Sequence, residues 1–418
     1  MGGDFVRHIY TGLDIGSHAI KIVVCELYKN KLNLLAAVET PSMGIKRGLI
    51  TDAELAQKSI KKGLDSIEGM LGISIKEVVV SIPSYHADFE VVKGECEIDG
   101  NGIIAGKHVQ KVLEDALKKR TVGTLEMVTD LPIDFKVDDK NGVIDPKGLL
   151  ADYLEVRSIV TSVPKKNLYS VASILDQIGL EIVDVTLNPI ANIANFKTKE
   201  IEDATTIVID IGYETTTVSL YNNAILIQNE ILNIGSKKIE KDLSYIYKIS
   251  TKNAHIIQER FALAHKRNAN VNEFYEIVNT MNEKIRISQF EASEIVMARL
   301  EEILTEAQKV FTTLTSPKID YIIITGGISN MADFDYIAND VFGKKSILGH
   351  IKMLGIRNNA YSVALGNIIH FIHRLKLTGK EYTMIDEEDE EGLANRGKGI
   401  NISSDSMLGK VFGYFFNE

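Results

Sequence analysis

Residues 207–221 read IVIDIGYETTTVSLY. A β-branched run, Ile207-Val208-Ile209, delivers Asp210. Ile211 and Gly212 follow, then a two-residue turn, Tyr213-Glu214, and a second β run from Thr215 through Thr216 to Leu220. β-Branched side chains suit a pleated, half-buried surface and glycine punctuates it. The stretch therefore predicts a β-hairpin with a carboxylate at the mouth of its turn. The pattern occurs once before, in Ile9–Leu27, IYTGLDIGSHAIKIVVCEL. There Asp14-Ile15-Gly16 precede Ser17-His18 and a further β run that carries Lys21. Two such hairpins, one in each half of the chain, predict a duplicated α/β architecture whose turns face each other across a cleft.

Backbone amides in tight glycine turns can cradle phosphate oxygens. A carboxylate beside each turn can hold a hydrated Mg²⁺ that neutralises a polyphosphate. Asp14 and Asp210 are the candidate metal positions on that chemistry. A single Asp-Ile-Gly is more often merely a strand end with a turn. Two copies in matching positions favour the phosphate role, the more so because a buried-type strand, Ile319–Ile324, ends in Thr325-Gly326-Gly327. That last turn suits a nucleoside or phosphate resting on backbone at a strand-to-helix junction.

The 418 residues are 45% hydrophobic and 25% charged, enough for several packed units. A formal net charge of −10 argues against nucleic acid as a partner of the whole body. Cys25 and Cys96 make no disulfide framework. No charged-then-apolar leader and no run long enough to span a bilayer is found, which points to the cytoplasm. His370 and His373 lie three apart on one helical stretch, where a structural role outweighs a metal.

The order of elements implies a first half over 5–83 and an inserted module over 84–162. Residues 163–203 complete the first half. The core of the second half covers 204–230 and 312–365, and a helical subdomain covers 231–311. A return helix over 366–376 then leads to a disordered acidic linker over 377–405, marked by the run Asp386–Glu391, and to an amphipathic helix over 406–418. In that helix Met407, Leu408, Val411, Phe412, Phe415 and Phe416 share one face. It suits the headgroup region of a membrane, with docking onto the protein's own body as the alternative. Lys410 is the one cation there, against Asp405 and Glu418, so binding rests on the aromatics, at most about 1.5–3 kcal/mol each. A row of such helices on a polymer multiplies the effect by roughly 10²–10⁴.

The two hairpins and the Thr-Gly-Gly turn resemble the actin, sugar-kinase and chaperone ATPase superfamily. Within the inserted module, residues 135–156, FKVDDKNGVIDPKGLLADYLEV, resemble a signature of FtsA, the actin-like bacterial cell-division family. The resemblance implies an actin-like fold with that module in place of an actin subdomain. It also implies ATP and Mg²⁺ as cofactors, held by Asp14, Gly16, Ser17, His18, Lys21, Asp210, Gly212, Tyr213, Thr215, Thr216, Gly235, His255, Gln258, Gly326 and Gly327. The implied partners are FtsZ through its C-terminal peptide, further copies of the chain in a filament, other division proteins, and lipid on the inner face of the cytoplasmic membrane at the septum. Lys284, Arg286 and Arg299 are the implied peptide contacts.

Several positions depart from the family. Tyr213 and Glu214 stand where it has glycines, and Ile328 replaces another. Asn188, the candidate for positioning water, replaces Glu or Gln. His255 and Gln258 stand where Glu and Lys usually meet the nucleoside. These departures imply weak or absent ATPase activity. Two alternatives share the fold: a PilM-like adaptor of pilus assembly, and an ATP-dependent kinase, for which the second hairpin lacks intact phosphate glycines.

Overall fold

A computed structural model describes residues 7–121, 123–314, 318–386 and residue 389. The first half begins with strands β1 (His8–Ile15), β2 (Ala19–Tyr28) and β3 (Lys31–Pro41). A two-rung hairpin follows, β4 (Ile45–Lys46) and β5 (Leu49–Ile50), then helix α1 (Ala53–Leu71) and β6 (Glu77–Ile82). Helix α1 starts where Asp52 accepts a hydrogen bond from the Leu55 amide, and it stops at Gly72 in the left-handed region, φ 67°. Its inner face, Ala56, Ile60, Leu64, Ile67 and Leu71, is buried against β2 and β3, and each large side chain contributes about 1.5–3 kcal/mol.

The inserted module comprises β7 (Asp88–Glu97), α2 (Gly106–Lys118), β8 (Leu125–Val137), β9 (Lys140–Val143) and β10 (Tyr153–Pro164). Its sheet runs β7-β10-β8-β9, with α2 on one face. Gly94 lets α2 lie flat on β7: a Cβ there would stand 2.1 Å from the Val112 carbonyl oxygen. Cys96 is buried in this core, and Cys25 in β2 is buried so completely that desolvation pushes its thiol up to about 12.

The chain then forms α3 (Lys165–Gln177), β11 (Glu181–Leu187), α4 (Asn188–Ala194) and α5 (Lys199–Glu202). The second half opens with β12 (Thr205–Ile211), β13 (Thr216–Asn222) and β14 (Ile225–Leu232), followed by α6 (Lys237–Tyr247) and α7 (Thr251–Arg260). Next come β15 (Phe274–Val278), β16 (Lys284–Ser288) and the long α8 (Gln289–Leu314). The described chain closes with β17 (Tyr321–Thr325), α9 (Phe334–Phe342), β18 (Ser346–Leu348) and α10 (Ser362–Thr378).

The two large sheets are copies of one plan. One runs β3-β2-β1-β6-β11 and the other β14-β13-β12-β17-β18. In each, a three-strand antiparallel meander is extended by two parallel strands beyond its first member. The fold is α/β, two like sheets with the module set into the first half. Helix α10 fastens the first sheet to α4. Gly12 and Gly366 permit this, because a Cβ at either would fall within 2.1 Å of the Ala364 or Ala191 carbonyl oxygen respectively. The Asn367 amide then donates to the Leu13 carbonyl at 2.9 Å.

Three expectations change. Residues 231–311 are not wholly helical: β14 continues to Leu232, α7 stops at Arg260, and β15 and β16 pair as a hairpin in which Phe274 faces Ser288. Tyr275, Ile277, Ile285 and Ile287 alternate inward there, a period of two set between helices. Thr215 belongs to the turn, where its carbonyl accepts from the Gly212 amide at 2.9 Å, so β13 begins at Thr216. Residues 377–386 are not linker. The Ile9 amide of β1 donates to Thr383 Oγ1 at 3.0 Å, the Met384 amide donates to the Ile9 carbonyl at 2.9 Å, and Tyr382 donates to Glu77 at 2.8 Å. Met384 and Ile385 are buried, and Asp386 pairs with Lys76 at 2.9 Å. The proposed membrane residues, Met407, Leu408, Val411, Phe412, Phe415 and Phe416, lie outside the described residues. Among the described residues, no helix is long and apolar enough to cross a membrane.

Candidate functional site

A cleft of about 450 Å³ separates the halves. The β1–β2 turn, the β12–β13 turn, the β17 end and the starts of α4 and α10 all open onto it, with α6 and α7 along one wall. Asp14, Gly16, Ser17, His18, Lys21, Asn188, Asp210, Gly212, Tyr213, Thr215, His255, Gln258, Gly326 and Gly327 all line it. Thr216 and Gly235 do not. Thr216 is buried and donates to the Ile234 carbonyl at 2.8 Å. Gly235 lies behind the second turn, where a Cβ would be 2.5 Å from the Gly212 carbonyl oxygen.

The floor is a charge cluster set by strand register. Asp14 on β1 stands opposite Lys21 on β2, and their side chains pair at 3.1 Å. Burial works against the Lys21 charge, but Asp14, Glu39 and Asp210 outweigh it and hold the ammonium above its ordinary value. Asp210 faces Thr217 across its own hairpin and has no such partner. Burial pushes its carboxyl up to about 6, with the Asp14 charge adding to the rise and Lys21 and Asn192 opposing it. Gly326 sits against this group: a Cβ would meet Asp210 Oδ1 at 2.8 Å and the Ile211 carbonyl at 2.3 Å, and its φ of 95° also favours glycine.

The departures at 213 and 214 have a structural account. Neither residue has positive φ, so the turn does not require glycine there. Glu214 points to the rim instead of the floor. It accepts from Lys237 Nζ at 2.6 Å and from the Arg47 amide, in the β4–β5 hairpin, at 2.8 Å. Burial opposes its charge, yet these two donors hold its carboxyl below the usual range. The Tyr213 hydroxyl donates to Glu240 at 2.8 Å, and its proton is held more tightly than usual, first through burial and then through that carboxylate. The Glu240 carboxylate also meets His255 Nδ1 at 2.8 Å, and His255 Nε2 lies 3.2 Å from Glu259. The first turn is tied down separately, through Ser17 Oγ accepting from the Gly48 amide at 2.7 Å.

Glu240, Glu39, Thr217 and Ser362 also line the cleft and were not singled out from the sequence. Thr217 was reachable, being directly across the ladder from Asp210. Glu240 carries no local signal; only the packing of α6 on the turn reveals it. Three buried side-chain oxygens in the lining, Asn188 Oδ1, Gln258 Oε1 and Asn359 Oδ1, have no hydrogen-bond partner among the described residues. Buried polar atoms are normally satisfied, so all three are available to a bound polar molecule or water.

A second depression, about 420 Å³, lies between α6 and α8. Tyr245, Ile246, Ile295 and Ala298 give it an apolar surface, and Tyr245 and Ile246 are exposed. Arg299 lines it, gripping Asp242 through Nε and Nη2 at 2.6 and 3.1 Å and also pairing with Glu302. Lys284 and Arg286 are not part of this lining. They lie on β16, where Arg286 covers the Phe274 ring at 4.1 Å and pairs with Glu276.

Two sheets of one plan, each presenting a hairpin turn to a shared cleft, define an actin-like protein. Solved structures agree on the fold. The PilM–PilN type IV pilus biogenesis complex aligns with a TM-score of 0.57 at 16% identity, covering 88% of this chain and 98% of that one. MreB5 of Spiroplasma citri bound to ADP aligns at 0.55 and 12%, covering 88% and 98%. Family models are more particular: cell division protein FtsA matches residues 207–366, and the SHS2 domain inserted in FtsA matches residues 85–162. Cell division protein FtsA of Enterococcus faecalis is 28% identical over 374 residues, 87% of this chain and 85% of the relative. That of Bacillus subtilis is 27% identical over 391 residues, 92% and 89%. The chain belongs to the FtsA family of cell-division proteins.

Proposed function

We propose that the protein is a membrane-tethered cell-division scaffold that binds ATP with Mg²⁺ in the cleft, polymerises, and holds FtsZ at the inner face of the cytoplasmic membrane at the septum. The observation that carries this reading is the meeting of Asp14, Lys21 and Asp210 at the floor between two facing turns. Lys21 there suits a polyphosphate, and Asn188 and Gln258 offer unpaired oxygens to its surroundings. Asp14 and Asp210 would hold the metal, which when bound would supply positive charge to the phosphates. Asn188 is a short, neutral group for orienting water, which supports slow or absent hydrolysis. The chain thus acts through its nucleotide-bound form more than through turnover.

The α6–α8 depression supports the peptide reading. Its apolar surface would take hydrophobic side chains, and Arg299 would exchange Glu302 or Asp242 for a carboxylate of the FtsZ C-terminal peptide. Lys284 and Arg286 would serve a longer peptide that continues onto β16. The apolar stripe of Met407–Phe416 is the proposed tether, and other division proteins are expected on the same assembly. Electron microscopy on a lipid monolayer with ATP, with ADP and with neither tests the whole. Filaments on lipid that depend on ATP are expected. Equal lipid binding by full-length protein and protein truncated at Ser406 would overturn the tether, and assembly indifferent to nucleotide would overturn the role of the cleft.

A further inference from the structure

His18 extends from the β1–β2 turn across the cleft. Its ring lies 4.6 Å from that of Tyr213 in the opposite turn and 4.9 Å from that of His255 on α7, centroid to centroid. Such separations are ring-on-ring contact. The two turns that face each other are thus touching through side chains, with no room between His18 and Tyr213 for a phosphoryl group. Three residues from three distant parts of the sequence build this contact.

The charges around His18 are already committed. In the facing turn, Glu214 is taken by Lys237 and the Arg47 amide. On α6, Glu240 is shared by the Tyr213 hydroxyl and His255 Nδ1, and Lys237 lies over the Tyr213 ring at 5.4 Å. On α7, Glu259 is taken by His255 Nε2. On β1 and β2, Asp14 and Lys21 pair with each other, and Asp210 on β12 feels Lys21. Burial, His255 and Lys21 together pull the His18 imidazole below its ordinary value, and Glu259 only partly opposes them.

We propose that His18 is a phosphate-binding residue whose protonation accompanies nucleotide binding. A polyphosphate parts the His18–Tyr213 contact and occupies the opened space, and the imidazole takes one proton from solvent to form an imidazolium–phosphate pair. This rests on the nucleotide reading above. It follows because the anion supplies the negative charge that the surrounding carboxylates, being paired, do not. A ligand that binds the protonated form must bind more weakly as pH rises, by up to about tenfold per pH unit for one proton.

Titration calorimetry of full-length protein with Mg²⁺ and a non-hydrolysable ATP analogue, near pH 7 in two buffers of different ionisation enthalpy, counts the protons. The wild type is expected to take up close to one proton more than His18→Asn. Protons lost by the analogue itself are common to both. Wild-type affinity should fall by up to about tenfold per unit above neutrality relative to His18→Asn. His18→Lys, charged throughout, should bind with the flat profile at the strength the wild type reaches only in acid, and it carries the comparison if the Asn variant does not fold. An identical proton count and pH slope in the wild type and in these variants would overturn the role of His18 alone. Absence of binding by the wild type at every pH would overturn the nucleotide reading and this proposal with it.

Discussion

The two hairpins at the cleft share a backbone and differ in charge. Asp14 and Asp210 occupy equivalent ladder ends, each one residue before the last strand position, each facing the return strand. Across from Asp14 is Lys21; across from Asp210 is Thr217. The first carboxylate therefore has a cation at 3.1 Å, while the second, half-buried at the cleft floor, relies on that same cation at longer range. Duplication has kept the scaffold, which hydrophobic burial and strand pairing maintain. The electrostatic elements are divided unequally, so one lysine serves two acids. A site built this way is short of positive charge when empty, which favours an incoming cation or a ligand that brings one.

Removing the shared cation should have the largest effect. Lys21→Met leaves Asp14 and Asp210 without their shared cation, and breaking a buried pair such as Lys21–Asp14 from one side typically costs about 3–5 kcal/mol. Denaturant unfolding near pH 7 should show a loss of that order, shrinking near pH 5 as one carboxyl takes up a proton. An equal loss at both pH values would mean that the aliphatic stem of Lys21, not its charge, matters.

Asp210→Asn should act in the opposite direction. The folded-state value of about 6 lies above the ordinary carboxylate value. Stability from this group is therefore fully present below about pH 4 and is lost as pH rises through 6. The Asn variant should be more stable near pH 7 by on the order of 2–3 kcal/mol and indistinguishable near pH 4. Melting curves across that window decide it, and a variant no more stable at neutrality would show that Asp210 is not strained by its burial.

The hairpins were legible in the sequence because strand alternation and Asp-Ile-Gly are local signals, and the inserted module because its turn residues are closely spaced. What escaped depends on distant partners. β6 pairs with β1 only at Gly12 and Leu13, which leaves the start of β1 with an open edge. Thr383 and Met384 fill it, although the polar composition around them reads as linker. The β15–β16 hairpin was hidden by helices on either side. Tyr213, Glu214 and His255 stood out as separate departures from the family, yet their common purpose appears only when Glu240 and His18 are placed among them. Tyr213→Phe tests that connection next in size. It leaves Glu240, 3% exposed, with one partner fewer, and should cost about 1–2 kcal/mol in a thermal or chemical melt. No loss would mean that His255 alone satisfies Glu240.

Glu214 should give the smallest stability change and the most specific mechanical one. Its partner Lys237 has a side chain 39% exposed, so the ion pair itself is screened and is worth at most about 1 kcal/mol. The hydrogen bond to the Arg47 amide is different, because it joins the second half's turn to the first half's β4–β5 hairpin. The matching tie in the first turn, Ser17 to the Gly48 amide, stays within its own half. Only the second turn, then, reaches across the cleft mouth through its carboxylate. Glu214→Ala should leave the melting temperature nearly unchanged, within what about 1 kcal/mol would move. Hydrogen exchange at the Arg47 amide should accelerate while exchange at Gly48 does not. Equal protection of Arg47 in both proteins would show that ring contacts and packing, without this carboxylate, hold the rim closed.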